Sequence, residues 1–327
     1  MKKWICLLLC TCLCCGCVPA EPYTGSGEPS ASERTPCIAV LLKSMGSAYF
    51  NLIKAGAEAE ADALGVQVMV VFPQKEIDTK EQSEMLRTLA TMDVDVIAVS
   101  PVNVPALQDG LQLAYENGKI LMAIDSPLRY PNCSCSIGTD QYSSAYEQGT
   151  YAAKLVSPGA NAVILRGQQD DKAHDLREYG LRDALHNNGV QTLDVKVCNS
   201  SEEDAVQAMQ ELLDTYSDID VVCATADIMA VGAQSVIEQS GRTMHIVSFD
   251  GMKDACELVR DGKMDATFAQ DPYLMGQLCV RNAVKLMHGE EVPKTIYTDI
   301  ERIDRFNAQS HIDTLADYLK RQAIVEP

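Results

Sequence analysis

The sequence is short of basic residues. Only 27 Lys and Arg stand against 46 Asp and Glu in 327 residues, which gives a formal charge of −19 and a pI near 4.6. Because an acidic surface repels the phosphate backbone, we expect no nucleic-acid partner. The chain also has no G-x-S-x-G elbow, no P-loop and no G-x-G-x-x-G between a strand and a helix. We therefore expect neither an enzyme nor a bound cofactor.

The sequence also lacks Cys and His residues at the spacings that are typical of metal sites. The seven cysteines after Cys17 contain no CxxC pair, and an odd number of thiols cannot all form disulfides. Cys133 and Cys135 are too close for a relaxed bridge, so buried free thiols are expected. We predict no metal site, because zinc-like spacing is also absent from the five histidines, which are His174, His186, His245, His288 and His311.

The amino-terminal segment is typical of a targeting signal rather than of a membrane-spanning helix. Two lysines precede an apolar stretch over residues 4–15, which is shorter than the roughly 20 residues that cross a bilayer. We interpret residues 1–16 as a signal peptide. Gly16 and Cys17 resemble the lipobox of bacterial lipoproteins, which implies lipidation of Cys17. The alternatives are Cys14 or Cys15 as the lipidated residue, or an ordinary cleaved signal.

Residues 17–36 are rich in Pro, Gly and Ser and cannot bury a core, so we interpret them as a lipidated tether. The expected location is therefore secreted and lipid-anchored to the outer face of the cytoplasmic membrane.

Two apolar runs that end in an aspartate organise the rest of the chain. Residues 245–251 (HIVSFDG) and 119–126 (KILMAIDS) each predict a buried parallel strand that ends in a carboxylate, at Asp250 and Asp125. Similar apolar runs alternate with helical patterns such as residues 51–64 along the chain. Alternation of this kind predicts parallel sheets with right-handed crossovers.

The pattern occurs twice. Residues 64–71 (LGVQVMVV) parallel 188–197 (NGVQTLDVKV), and residues 93–101 (DVDVIAVSP) parallel 218–227 (DIDVVCATAD). We predict an α/β fold of two Rossmann-like lobes with parallel sheets, joined by a three-strand hinge that lets the lobes close. The predicted boundaries are 37–139 plus 271–299 for the amino-terminal lobe and 140–270 plus 300–327 for the carboxy-terminal lobe.

Ligands of open parallel sheets bind outside the carboxyl ends of the strands. In this chain polar residues cluster at those predicted ends: Lys43, Ser44, Ser100, Asp125, Ser126, Asp140, Arg166, Thr225, Asp227 and Asp250.

Several segments, taken together and in order, resemble the type I periplasmic binding proteins of the ribose-binding and related sugar-binding branch. The resemblance covers residues 37–298. It is carried by residues 38–65 (IAVLLKSMGSAYFNLIKAGAEAEADALG), IDSP from Ile124, IGTDQ from Ile137, the RxxGL pattern from Arg177, HIVSFDG from His245 and ATFAQDPYLMG from Ala266.

The resemblance implies a role for particular residues. Tyr49 and Phe50 match paired aromatics that stack on a sugar face, Asp125 and Asp250 match carboxylates that accept from adjacent hydroxyls, and Arg177 matches a sugar-binding arginine. Gln141 and Gln270 match amides on the hinge side. Such groups suit a ligand with clustered O–H donors and C–H faces. The full expected ligand-binding set is Lys43, Ser47, Tyr49, Phe50, Ser100, Asp125, Ser126, Gln141, Arg177, Ala226, Asp227, Asp250 and Gln270.

Some positions depart from the ribose pattern. Lys43 and Ser47 stand where a small polar residue and an asparagine are usual, Ser126 replaces an arginine, and Ala226 replaces an asparagine. Ser200 lies about where an aromatic wall is implied. Lys43 with Asp125 and Ser126 is similar to the branch that includes autoinducer-2 binders. A pentose, a hexose, a polyol and autoinducer-2 therefore remain open as ligands.

Structural roles compete with these assignments. Tyr49 and Phe50 could be loop-anchoring core aromatics, Arg177 could pair with a surface carboxylate on its own helix, and Asp250 could cap the next helix. Asp125 and Asp250 could also form a glycosidase pair, which the resemblance to binding proteins disfavours.

The functional hypothesis is an extracytoplasmic, monomeric lipoprotein that captures a sugar-like ligand and delivers it to an ABC permease. The alternative is a sensing subunit that presents the ligand to a membrane histidine kinase or chemoreceptor.

Overall fold

The computed structural model describes residues 34–44, 46–74 and 78–325. The predicted signal peptide, nearly all of the predicted tether and the lipidation candidate Cys17 lie outside this part of the chain. Within it, none of the helices combines the length and the hydropathy that a bilayer crossing requires.

Twelve strands and ten helices make up the described residues. In chain order they are β1 (Cys37–Leu41), α1 (Ala48–Leu64), β2 (Gln67–Val71), α2 (Thr79–Thr91), β3 (Val96–Val99), α3 (Val104–Glu116), β4 (Ile120–Asp125), β5 (Cys133–Gly138), α4 (Gln141–Lys154), β6 (Asn161–Arg166), α5 (Lys172–Asn187), β7 (Gln191–Val197), α6 (Glu202–Thr215), β8 (Val221–Ala224), α7 (Asp227–Ser240), β9 (His245–Asp250), α8 (Lys253–Arg260), β10 (Ala266–Ala269), α9 (Pro272–Met287), β11 (Thr295–Tyr297), β12 (Glu301–Ile303) and α10 (Ala308–Val325).

The strands form two six-stranded sheets. The first has the order β11-β5-β4-β3-β1-β2 and is parallel throughout. The second has the order β12-β10-β9-β8-β6-β7 and is parallel except for the antiparallel edge strand β12. The chain passes between the sheets after β5, after β10 and after β11. The predicted fold class, two α/β lobes joined by three crossings, is therefore confirmed.

Each sheet is buried on both faces because helices cover both. Along β1, Ile38 and Val40 belong to the apolar cluster under α1 and α9, whereas Ala39 and Leu41 belong to the cluster under α2 and α3. Successive side chains of a strand point to opposite faces, so a continuous apolar run fills both clusters. The second sheet is built in the same way.

The carboxy-terminal elements β12 and α10 were not predicted as elements. β12 has only three residues and follows a polar loop, and α10 is an amphipathic helix that packs on α8 and α1. The lobe boundaries stay a prediction, although β11 pairs with β5 and α9 packs against α1.

The predicted buried thiols are also found. Cys223, Cys256 and Cys279 are fully buried, and no cysteine of the described residues forms a disulfide. Burial raises the pKa of the Cys223 and Cys279 thiols to about 12, so both stay protonated.

Helices α1 and α9 touch backbone to backbone at two glycines. A Cβ on Gly276 would lie 2.1 Å from the carbonyl oxygen of Ile53, and a Cβ on Gly56 would lie 1.9 Å from that of Tyr273. Carbonyl groups within a helix cannot rotate out of the way, so any side chain there forces the two helices apart.

We predict that Gly276→Ala lowers the free energy of unfolding by about 1–3 kcal/mol, as overpacking in a fitted interface does. Urea unfolding followed by circular dichroism measures this. The control is Gly110→Ala, where the new methyl group meets only the side chain of Leu86, at 2.9 Å. An equal or smaller loss for Gly276→Ala than for the control would contradict the close helix contact.

Candidate ligand-binding site

The carboxyl ends of strands from both sheets face one shared cavity of ≈ 730 Å³, which we call the interlobe cavity. Its walls come from the segments that follow β1, β7, β8 and β10, from the ends of β4 and β9, and from α5. This is the edge at which open parallel sheets bind ligands. Most of the residues expected from the sequence line it: Lys43, Ser47, Tyr49, Phe50, Asp125, Arg177, Ala226, Asp227, Asp250 and Gln270.

Three expected residues do not line the cavity but lie behind its wall. Ser100 and Ser126 each donate a hydrogen bond of 2.8 Å to Oδ2 of Asp125. Gln141 accepts from Nε of Arg177 at 2.7 Å and donates to the backbone oxygen of Asp125 at 3.3 Å. These side chains orient residues of the wall, so their expected direct contact with a ligand finds no geometric support.

The carboxylate of Asp125 is held by its own lobe. Besides the two serine hydroxyls on Oδ2, its Oδ1 accepts from the Tyr49 hydroxyl at 3.0 Å. Burial, with the nearby Asp125 charge, raises the pKa of Tyr49 well above its usual value, so the phenol remains a donor. The backbone of Asp125 is left-handed, with φ 64°. Its direction is thus fixed before any ligand arrives.

The positions of Tyr49 and Phe50 are compatible with both roles that the sequence left open. They line the interlobe cavity, and they also belong to the apolar cluster of the first lobe. Their rings meet edge to face, with centroids 5.4 Å apart. Since Ser47 starts α1 and both aromatics lie in its first turn, the helix start presents the rings to the cavity.

Arg177 is the buried cation of the second lobe. Its Nη1 donates to the backbone oxygen of Thr225 at 2.8 Å and to Oδ1 of Asp250 at 3.0 Å. The guanidinium lies 4.2 Å from the centroid of the Phe249 ring. The alternative of a pair with a surface carboxylate on its own helix is therefore wrong. In the described part of the chain, Nη2 has no hydrogen-bond acceptor.

Asp250 ends β9 and points at Arg177. Its Oδ1 accepts from Arg177 and, at 2.8 Å, from Nε2 of Gln270, while Oδ2 accepts from none of the described residues. Like Asp125 it has a positive φ, of 118°. It does not cap the next helix, because Met252 is the N-cap residue of α8. The Oε1 of Gln270 is buried with no partner among the described groups.

Asp227 lines the cavity, yet its oxygens are used inside the second lobe. Oδ1 accepts from the Ser248 and Thr267 hydroxyls, and Oδ2 accepts from the backbone N–H of Met252 at 2.6 Å. Asp227 therefore ties β9, β10 and the loop after β9 together. Ala226, just before it, contributes only a methyl group to the wall.

Lys43 connects the two lobes. Its Nζ lies 2.6 Å from Oδ2 of Asp171, the residue that N-caps α5, and 3.9 Å from Oδ2 of Asp125. Lys43 and Asp171 are 2% and 1% exposed. An ion pair this deeply buried costs desolvation free energy, which only close geometry offsets. Asp171 was not identified from the sequence, although an Asp before a helical pattern is an N-cap signal.

His174 and Ser200 were not among the residues expected to bind the ligand. Both line the interlobe cavity, and His174 lies one turn before Arg177 on α5. The absence of metal-ligand spacing around His174 gives no indication of a role in binding. Its i,i+3 spacing from Arg177 would have placed it on the same helical face. A cluster suited to a metal ion does not occur among the described residues.

The carboxylate of Asp227 is buried and that of Asp250, in the same lobe, is mostly shielded from solvent. Burial raises the pKa of both, and their mutual repulsion raises the pKa of Asp227 further, whereas Arg177 pulls that of Asp250 back down. The folded protein therefore binds protons at these groups more tightly than the unfolded chain does. This contribution makes the ligand-free protein lose stability as the pH rises from about 4 toward 7.

We predict that Asp250→Asn flattens this pH dependence. The difference in unfolding free energy, variant minus parent, should rise by on the order of 1 kcal/mol between pH 5 and pH 7.5, since one pKa unit corresponds to about 1.4 kcal/mol. Urea titrations at four pH values measure the difference. Asp261→Asn, at an exposed position, serves as the control. A difference that stays constant with pH would contradict the raised pKa values.

A second prediction concerns the ion pair between the lobes. Lys43→Met leaves the buried carboxylate of Asp171 without its partner and should cost about 3–5 kcal/mol of stability. It should also raise the radius of gyration in small-angle X-ray scattering as the lobes separate. In the double variant Lys43→Met with Asp171→Ser, the serine still caps α5, and most of both effects should disappear. Parent-like stability and size for the single variant would show that the pair does not hold the lobes.

Comparisons with known proteins agree with this geometry. The periplasmic binding protein domain matches residues 38–291. The ribose import binding protein of Bacillus subtilis is 28% identical over 301 residues, covering 90% of this chain and 97% of that protein. The xylitol-binding protein of Mycolicibacterium smegmatis is 26% identical and covers 82% of this chain and 77% of its own length.

A solved structure shows the same fold. The periplasmic solute-binding protein of an ABC transporter from Actinobacillus succinogenes, with bound D-allose, superposes with a TM-score of 0.79 at 24% identity. The match covers 84% of this chain and all of that one.

These relatives are binding proteins, so the expectation that the chain is not an enzyme is confirmed. Because the matched domain spans most of the sequence, the protein belongs to the periplasmic binding protein domain family, in the branch of the ribose and sugar import binding proteins.

Proposed function

We propose that the protein is an extracytoplasmic solute-binding protein that captures a small sugar or sugar-like molecule in the interlobe cavity and delivers it to an ABC importer. The observation that carries the proposal is a set of polar groups on the cavity wall with unused hydrogen-bonding capacity. Asp250 Oδ2 and Gln270 Oε1 are acceptors without a donor in the described chain, and Arg177 Nη2 is a donor without an acceptor there.

The chemistry of this set supports a polyhydroxylated ligand. A hydroxyl group can donate to Asp250 or Gln270 and accept from Arg177 at the same time. Leaving such groups buried and unpaired costs about 1–3 kcal/mol each, so a ligand without matching hydroxyls is disfavoured. The volume of ≈ 730 Å³ falls within the range of about 300–1,000 Å³ for small-molecule sites.

The aromatic pair supports the same ligand class. Tyr49 and Phe50 offer apolar ring surface on the side of the first lobe, opposite the polar groups of the second. A sugar has a C–H face and a rim of hydroxyls, so it satisfies both walls at once. The relatives named for ribose import and for xylitol binding support a ligand with hydroxyls on neighbouring carbons.

Delivery follows from the two-lobed design. A ligand that contacts both lobes favours their closed arrangement, because only that arrangement provides both sets of contacts. A membrane permease can then recognise the closed form. We further propose a monomer that is anchored by a lipid at Cys17 and carried outward by the signal in residues 1–16. A sensing subunit would use the same closure, but nothing in the described residues favours it over import.

We predict that calorimetry on ligand-free protein, across pentoses, hexoses, polyols and autoinducer-2, identifies a ligand from one of these classes. Asp250→Ala should lower the affinity for that ligand by about 10- to 100-fold, because hydrogen bonds to a charged group contribute about 1.5–3 kcal/mol. The matched control is Asp261→Ala, which removes an exposed carboxylate from the same lobe and should leave affinity unchanged. Parent-like affinity of Asp250→Ala would refute this assignment of the site.

A further inference from the structure

One wall of the interlobe cavity is formed by His174 and Ser200. His174 is 5% exposed and lies on α5 one turn before Arg177. Its Nδ1 lies 2.8 Å from Oγ1 of Thr225, and its Nε2 lies 3.2 Å from Oγ of Ser200. The three side chains form a row that runs from the buried Thr225 to the cavity surface.

The direction of the protons in this row follows from counting donors. Thr225 is fully buried, and its Oγ1 accepts from the backbone N–H of Gly167 at 3.2 Å. Its own hydroxyl proton needs an acceptor, because a buried polar group without a partner is costly. Among the described residues the acceptor available is Nδ1 of His174. The imidazole then carries its proton on Nε2 and donates to Oγ of Ser200.

The counting requires a neutral imidazole, and the surroundings supply one. Burial and the nearby cations Arg177, Lys43 and Arg166 hold the pKa of His174 well below its usual value, although Asp125 opposes this. A protonated ring would present N–H groups at both nitrogens and leave the Thr225 hydroxyl without its acceptor. One tautomer is therefore selected at neutral pH.

The final donor of the row is Ser200. Its Oγ accepts from His174 and has no acceptor for its own proton in the described chain, so that proton is available to the cavity. We propose that Ser200 donates a hydrogen bond to an acceptor oxygen of the ligand and that His174, set by Thr225, is the positioning residue for this donor. The inference rests on the proposed function and adds a chemical requirement: the ligand must offer a ring, carbonyl or hydroxyl oxygen at this wall.

The local backbone is built around this row. A Cβ on Gly167 would lie 2.3 Å from Nε2 of His174, so only glycine leaves space for the ring. Asn199 and Ser200 both have left-handed backbones, with φ of 49° and 52°. Such conformations cost about 1–3 kcal/mol each for residues other than glycine and concentrate at functional sites. Two independent features of the chain thus keep the histidine and the serine in place.

The first arm of the test needs no ligand. Nitrogen-15 NMR of the histidine rings in the ligand-free protein should show His174 neutral with its proton on Nε2 at pH 7. Thr225→Val should change this signature, because the donor to Nδ1 is removed, whereas Ser200→Ala should leave it. A parent protein with the proton on Nδ1, or with a charged ring, would overturn the proposal.

The second arm measures affinity for whichever of D-ribose, D-allose and xylitol binds the parent most tightly. Ser200→Ala and Thr225→Val should each weaken binding by about 3- to 10-fold, as for one neutral hydrogen bond. Since Thr225 acts through Ser200, the double variant should bind about as weakly as Ser200→Ala alone. Losses that multiply, or no loss for Ser200→Ala, would overturn the role of Ser200.

The controls separate this inference from the proposed function. Ser235→Ala removes a hydroxyl on α7 that bonds to the backbone oxygen of Gly232, and it should alter neither readout. Urea midpoints close to that of the parent establish that each variant folds. If none of the three probes binds the parent, the ligand identified by the calorimetry described above replaces them. If that calorimetry identifies no ligand, the proposed ligand class fails, and the NMR arm still decides whether the row from Thr225 to Ser200 exists.

Discussion

The arrangement of the cavity depends on how the buried guanidinium of Arg177 is held. Its charge is met by Asp250, its plane lies over the Phe249 ring, and its Nε donates to Gln141. Gln141 in turn donates to the backbone oxygen at the end of β4, in the other lobe. A cation this deeply buried is tolerated when a countercharge and hydrogen bonds offset its lost hydration. The Arg177 guanidinium thus positions the Asp250 carboxylate and the Gln141 amide. Through Gln141 it also connects the end of β9 to the end of β4.

The carboxylates of the cavity are not equivalent, and their partners show why. Asp125 is held by three hydroxyls of its own lobe, and Asp227 is held by two hydroxyls and an N–H of its own lobe. Asp250 alone of the three has an oxygen with no donor in the described chain. Under the proposed function, a ligand hydroxyl would therefore form its most favourable new hydrogen bond at Asp250, whereas the other two carboxylates would shape the site. This assignment could not follow from sequence position alone, since all three aspartates lie at or shortly after the carboxyl end of a strand.

The fold could be predicted from the sequence because strands that are buried on both faces have continuous apolar runs. Continuous apolar runs such as residues 38–42 identify the strands, and their repetition in the second half identifies two lobes.

The features that could not be predicted from the sequence have physical reasons too. β12 is three residues long and pairs antiparallel at an edge, where few side chains are buried. Ser100 and Ser126 lie at strand ends yet behind the wall, because strand pattern does not determine which way a loop side chain turns. His174 was missed because its partners, Thr225 and Ser200, come from distant segments.

The same kind of backbone strain occurs at corresponding positions of the two lobes. Asp125 and Asp250 end corresponding strands, and both have positive φ. This conformation is less favourable for an aspartate than for a glycine. Glycine would relieve the strain and remove the carboxylate. Both halves of the repeat keep the strained aspartate, and the second half adds Asn199 and Ser200 across the same cavity. Four of the six described non-glycine residues with positive φ thus line this cavity, where such strain is expected to concentrate at a functional site rather than to serve stability.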